Sequence, residues 1–250
     1  MTAAVRGLLS GYDRNSGLTA VSMVLGYGAI GWIWRRYLDF SLGVDWLLVG
    51  IWVFMTALLC WGIAPRRDLV RAAVGLAGGL YIESWGTVTN LWWYFTSERP
   101  PIWILPAWPV AAIAIDRLSR ALDVVLPEED LRFVWWGTLP PFVVTMVIFT
   151  LPYAHEPLTQ LSWLAMLVVL VVPGRLRQDV TLMLAGAGLG IFLEYWGTSR
   201  HCWNYYTREI PPIAAVLAHG YAAVAFQRVA GVVDLVLEPI LGRNIVPRFR

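Results

Sequence analysis

The chain has 250 residues, 58% of them hydrophobic and only 14% charged, with a formal net charge of +2. Soluble domains carry about 25% charged residues, so a disordered chain is excluded and a water-covered globule is disfavoured. A mean hydropathy of +0.60 leaves an all-α polytopic membrane protein, and the low net charge with no basic run gives no nucleic-acid partner.

A hydrocarbon core about 30 Å thick needs about 20 apolar residues in a helix. The sequence predicts eight spans, at 18–34, 46–63, 69–88, 102–115, 133–151, 161–172, 180–197 and 213–226. Residues 1–17 have no apolar core, so a cleavable signal peptide is not expected and the first span stays as an anchor. The fourth, sixth and eighth spans are short. The fourth also holds Pro106 and Pro109, which predict a kink or a broken helix. All 19 basic residues are Arg. With the N-terminus inside, fourteen of them fall on the inner side and five (Arg35, Arg36, Arg99, Arg200 and Arg208) on the outer side. The bias predicts cytoplasmic N- and C-termini, in what is read as a bacterial cytoplasmic membrane. The acidic run at 127–130 then reads as a cytoplasmic linker.

The strongest feature is an internal repeat. Residues 83–102 (ESWGTVTNLWWYFTSERPPI) and 194–213 (EYWGTSRHCWNYYTREIPPI) agree at eleven of twenty positions without a gap, at an offset of 111. The same offset pairs Asp68 with Asp179, Gly75 with Gly186, Arg117 with Arg228 and Asp123 with Asp234. A tandem repeat of four plus four spans is expected, with units 1–126 and 127–250. An even number of spans per copy makes the copies parallel, so a pseudo-two-fold axis runs along the membrane normal and a site lies between the halves.

Within the motif, Glu83, Gly86, Thr87 and Asn90 fall at helical spacing on one face, and Glu194, Gly197, Thr198 and His201 repeat it. Glycine lets a neighbour approach closely, and threonine can bond the carboxyl or the backbone. An aromatic segment follows, Trp92 to Tyr94 and Trp203 to Tyr206. Pro100-Pro101 and Pro211-Pro212 then start the next helix. Seven of the 15 Trp lie in or just beyond the two copies, and the rest sit mostly near span ends, as an interfacial belt predicts.

An ionisable residue inside a span is a functional-site candidate. The bland alternative is that Glu83 and Glu194 merely hold the halves together. A carboxylic acid in an aromatic-walled cavity can protonate a carbon–carbon double bond, and Trp and Tyr faces then stabilise the cation. That chemistry suits isoprenoids. Half two has His201, His219, Tyr206 and Tyr221 where half one has Asn90, Trp108, Phe95 and Val110. Glu194 is therefore the expected acid, with His201 or His219 as base or water-orienting group and Glu83 as its counterpart. The expected substrate contacts are Trp85, Thr87, Asn90, Trp92, Tyr94, Trp108, Trp196, Thr198, Trp203, Tyr205 and Tyr206. Asp116 and Gln227, beside Arg117 and Arg228, read as local ion pairs or snorkelling groups. Cys60 and Cys202 cannot make a zinc site alone, and neither a paired Asp motif nor a Gly-rich phosphate loop occurs. No metal or cofactor is expected; the expected partners are membrane lipids and a lipophilic substrate.

Glu83-x-x-Gly86-x-x-Thr89, followed by Trp92-x-Tyr94, Pro101 and Trp108, resembles the carotenoid-biosynthesis family of membrane carotenoid hydratases, including the bisanhydrobacterioruberin hydratases. A weaker likeness, through the Trp-x-Tyr step and the acidic pair after Pro127, is to membrane-bound lycopene cyclases. The resemblance spans about forty residues of one half, and Asn90 stands where the family has glycine. It implies cofactor-free hydration or cyclisation of a carotenoid-like polyene. Two other functions fit the residues: a non-enzymatic membrane subunit binding a lipid, quinone or pigment, and a small transporter.

Overall fold

The computed structural model describes residues 11–126, 131–172 and 174–241. They form eight α-helices: α1 Arg14–Trp34, α2 Val44–Cys60, α3 Pro65–Val88, α4 Ala107–Val125, α5 Arg132–Thr150, α6 Pro157–Val171, α7 Leu176–Ser199 and α8 Ile213–Leu241. Two short strands, β1 Trp92–Tyr94 and β2 Trp203–Tyr205, pair antiparallel. Five helical stretches are long and apolar enough to cross a membrane: Arg14–Tyr37, Ile102–Val125, Arg132–Tyr153, Leu176–Ser199 and Ile213–Leu237. Val44–Cys60 and Pro157–Val168 are apolar but shorter. Helix α3 is long enough but carries Arg66, Arg67, Asp68, Arg71 and Glu83, and it is not among the five.

Polarity is distributed as a bilayer demands. Leu18, Leu25, Trp32, Val53, Phe133, Ile148, Leu164 and Val171 face outward, while Asp45, Arg71, Glu83, Asp116, Arg117, Asp179 and Glu194 are buried. In water the order would be reversed. In hydrocarbon each buried charge needs a partner, and those partners tie the helices together.

Local chemistry sets the ends. Asp13 caps α1 by accepting from the Ser16 amide at 3.0 Å, so the helix begins at Arg14, four residues before the predicted span. The Ser16 hydroxyl in turn donates to the Cys60 carbonyl at 2.6 Å, pinning α1 to the end of α2. Prolines at 106 and 109 do not break the fourth helix as predicted. A 3₁₀ turn at Ile102–Ile104 precedes it, Pro106 is its N-cap and Pro109 lies in its first turn, where a missing amide costs nothing. The helix then runs ten residues past the predicted end at 115, because Asp116, Arg117 and Arg120 all find ionic partners inside the bundle. Helix α8 likewise continues well past 226 to Leu241.

The helices alternate in direction. At one end the β1–β2 ribbon joins the ends of α3 and α7, Arg200 reaches the Tyr37 carbonyl at 2.7 Å, and the Tyr153 hydroxyl reaches the Asn90 carbonyl at 3.2 Å. The opposite end is ionic. Arg117 binds Asp68 at 2.5 Å and Arg228 binds Asp179 at 2.8 Å, the same contact 111 residues apart. Arg67 and Arg120 converge on Asp116 at 2.6 and 3.2 Å, so Asp116 is ion-paired, but not with its neighbour Arg117, which turns to Asp68. Gln227 accepts from Arg71 at 3.3 Å, and Arg71 also binds Asp234 at 3.0 Å. The acidic linker at 127–130 lies outside the described residues. The boundary expected at 126/127 falls in the connection between α4 and α5.

Helices α3, α4, α7 and α8 form the centre, α3 against α4 and α8, and α7 against α4 and α8. Small residues let them close in. A Cβ on Gly79 would meet the Trp108 ring at 2.1 Å, and one on Gly190 would meet His219 at 2.7 Å. The remaining helices are less alike: α2 packs on α1, α4 and α7, whereas α5 packs on α8 and α7, and α6 on α3.

Candidate functional site

Helices α3 and α7 end in the same way. The amide of Leu91 bonds the Gly86 carbonyl, and that of Cys202 bonds the Gly197 carbonyl, both at 2.9 Å. Asn90 and His201 take left-handed backbone at φ 60° and 54°, as the residue after a helix cap commonly does. The chain therefore turns back over its own last turn. This corrects the reading of Asn90 and His201 as members of the Glu face. Both side chains lie beyond the helix and are exposed. His201 Nδ1 is 2.9 Å from Asn204 Oδ1, away from Glu194.

The turn lays the aromatic strand against the carboxyl. The Trp92 ring covers Gly86 so closely that a Cβ there would lie 1.9 Å from it, and Trp203 covers Gly197 with a corresponding 2.0 Å. The strands then pair across the halves, Trp92 with Tyr205, Trp93 with Asn204 and Tyr94 with Trp203. Because side chains alternate on a strand, Trp92, Tyr94, Trp203 and Tyr205 share the inner face, and Trp93 and Asn204 share the outer one.

Four inner rings and two groups from α4 and α8 enclose the carboxyls. Glu83 is 4% exposed and accepts three bonds: Trp92 Nε1 at 3.1 Å and Tyr94 Oη at 2.9 Å on Oε2, and Trp108 Nε1 at 3.1 Å on Oε1. Glu194, also 4% exposed, accepts from Trp203 Nε1 on Oε2 and from Tyr205 Oη on Oε1, both at 2.9 Å. Its third neighbour is His219, whose Nδ1 lies 3.8 Å from Oε1 and 2.9 Å from the Ala215 carbonyl. Thr87 and Thr198 donate to the backbone carbonyls of Glu83 and Glu194, each at 2.6 Å, rather than to the carboxyls.

The two cages share walls. Ring centroids of Trp92 and Tyr205 are 5.9 Å apart, those of Tyr94 and Trp203 6.0 Å. Trp108 and His219, matched positions, lie parallel at 6.3 Å. Hydrogen bonds from the indole and phenol groups are what let such carboxyls persist away from water.

Of the expected site residues, the structure thus brings together Glu83, Glu194, Trp92, Tyr94, Trp108, Trp203, Tyr205 and His219. Thr87 and Thr198 support them through the backbone. Trp85 and Trp196 stand behind, edge-on to Trp92 and Trp203, and their indole N–H groups point elsewhere: Trp85 to Thr159 at 3.1 Å and Trp196 to Asp45 at 3.0 Å. Tyr206 bonds the Phe149 carbonyl at 2.8 Å, outside the cage. Asp45 was not among the expected residues. It is fully buried, and it accepts from Trp196, from Arg200 Nε at 3.1 Å and from the Asp39 amide. An acidic residue opening an apolar span was the only signal for it. Among the described residues no cluster of three metal-ligating side chains occurs.

Comparison with family models, curated proteins and solved structures finds no match to this chain.

Proposed function

We propose that the chain is a membrane-embedded acid–base enzyme acting on a lipophilic isoprenoid, a carotenoid-like polyene, with Glu194 as the acid. The observation that carries this reading is the one change of residue type among the groups facing the two carboxyls. Where Glu83 receives the N–H of Trp108, which can only donate, Glu194 faces His219, which can take up or release a proton. The Tyr205 hydroxyl, like that of Tyr94 at Glu83, can reverse and accept from a protonated carboxyl, and at Glu194 it does so on a different oxygen from the one Trp203 holds. On this reading half one is a fixed support and half two the site where a proton moves.

The step balances without a cofactor. Glu194 gives its proton to one alkene carbon, and the other becomes a tertiary cation facing Trp203 and Tyr205. Water then adds to the cation and loses a proton to His219, which returns it to Glu194. In cyclisation the cation is instead attacked by a second double bond and a carbon-bound proton is lost to the same base. The family resemblance at residues 83–108 supports the substrate class.

The same proposal includes the architecture: eight spans in two parallel four-helix copies, 1–126 and 127–250, with cytoplasmic termini in a bacterial cytoplasmic membrane. The contacts repeated at an offset of 111 and the Arg bias support it. A second reading, a non-catalytic subunit binding a pigment, quinone or lipid, draws on the complete satisfaction of Glu83. The test is expression in carotenoid-producing bacteria with mass spectrometry of membrane extracts. The expected result is a polyene heavier by one water, or an isomer of altered retention, that disappears in the Glu194→Gln variant. Undiminished product from both Glu194→Gln and Glu83→Gln would refute the acid mechanism.

A further inference from the structure

The outer face of the ribbon carries a cleft of about 600 Å³, within the usual range of small-ligand sites, about 300–1,000 Å³. Trp93, Asn204, His201, Arg208 and Glu209 line it, together with the buried Tyr205. Three of the polar groups stand where the halves differ: Asn204, His201 and Arg208 replace Trp93, Asn90 and Ser97 of half one. Asn204 is the decisive change. It pairs directly with Trp93 across the ribbon, so one large ring faces one small amide and space opens beside the indole, where two facing Trp would have filled it.

The chemistry of the lining is mixed and balanced. Trp93 is 36% exposed and offers an indole ring. Arg208 and Glu209 make no ion pair among the described residues, and their charges cancel. The Asn204 Nδ2 group remains available to donate, since its Oδ1 is engaged by His201. A net anion gains from Arg208 and is repelled by Glu209, and a cation meets the reverse. A neutral group whose hydroxyls both donate and accept satisfies Arg208, Asn204 and Glu209 together, and its C–H face covers Trp93.

We propose that this cleft binds an uncharged polyhydroxylated headgroup of sugar type, either that of a glycolipid or a free sugar. The cleft borders the Glu194 cage, since Tyr205 belongs to both, but sugar binding there does not depend on the reaction assigned to the carboxyls.

The test is calorimetric titration of the full chain in a sugar-free polyoxyethylene detergent with octyl glucoside below its micelle concentration, glucose and octyl phosphate. Saturable binding of the glucoside is expected, weakened about tenfold or more by Trp93→Ala, as is typical for loss of an aromatic anchor, and also weakened by Asn204→Leu. Equal affinity for glucose identifies a soluble sugar as the ligand, and preference for the glucoside identifies a glycolipid. Arg208→Gln, at an exposed rim position, provides a second reading if Trp93→Ala fails to fold. Tighter binding of octyl phosphate, the absence of saturable binding of either sugar probe, or unchanged affinity in folded variants overturns the proposal.

Discussion

Replacing each carboxyl with its amide separates the two cages. Glu83 accepts from Trp92 on one oxygen and from Trp108 on the other, and an indole N–H can only donate. An amide at this position therefore points its NH₂ at a donor whichever way it turns. One indole is left unpaired in a buried site, costing about 1–3 kcal/mol, and the surviving bonds lose their charge assistance. Glu194 holds only one such donor, Trp203. In Glu194→Gln the carbonyl accepts from Trp203 and the NH₂ donates to Tyr205, whose hydroxyl reverses to accept; the His219 Nδ1 hydrogen already has the Ala215 carbonyl. Glu83→Gln is thus expected to be less stable than Glu194→Gln by about 1–3 kcal/mol. Paired denaturant or thermal unfolding in one detergent, followed by circular dichroism, measures the difference. Equal stability, or the reverse order, would show that the donor count does not govern these sites. The same asymmetry makes Glu194→Gln a clean chemical probe, because the variant is expected to fold.

Overpacking should be marked at the two glycines that carry the motif indoles. Gly86→Ala and Gly197→Ala are expected to destabilise by about 1–3 kcal/mol or more, whereas Gly188→Ala, with nothing within 4 Å, should be neutral or gain about 0.5–1 kcal/mol; unfolding midpoints distinguish them. Asp45→Ala strands Arg200 and the Trp196 N–H, and the expected loss lies near the low end of about 3–5 kcal/mol because Arg200 is partly exposed. Unfolding of Asp45→Ala beside Arg200→Ala checks the value, and a loss below 1 kcal/mol would mean that the pair behaves as a surface contact. His219→Phe should abolish product formation while His201→Ala leaves it intact; the opposite pattern in the membrane-extract assay would remove His219 from the mechanism.

The parts of the site that a sequence can reveal are those encoded by periodicity and repetition. Glu83 and Glu194 stood out because a carboxyl recurs 111 residues later in the same apolar setting, and Trp92, Tyr94, Trp108 and their counterparts followed from the motif. Helical spacing misplaces Asn90 and His201, since the helices end two residues earlier at Val88 and Ser199 and these two residues take the left-handed turn themselves, which nothing in an apolar-polar pattern marks. Trp85 and Trp196 were identified as aromatic neighbours, but their N–H directions depend on Thr159 and Asp45, which arrive from other helices. The prolines at 106 and 109 suggest a break because their effect depends on whether they fall in the first turn, and hydropathy does not distinguish the 3₁₀ turn at Ile102–Ile104 from the α-helix that starts at Ala107. Pairing of two three-residue strands from opposite halves left no local signal at all, since each is too short to alternate recognisably.

That ribbon has a consequence for how the molecule can fail. Its register is centred on Trp93 opposite Asn204, and a slip of one residue reverses the facing of every side chain on the shifted strand. Whichever strand moves, its Trp and Tyr swing away from their carboxyl together, and the other strand loses the backbone partner that held it. The two cages therefore form one cooperative unit. Damage confined by sequence to either half should be felt at both carboxyls, as an all-or-none loss rather than a site with half its capacity.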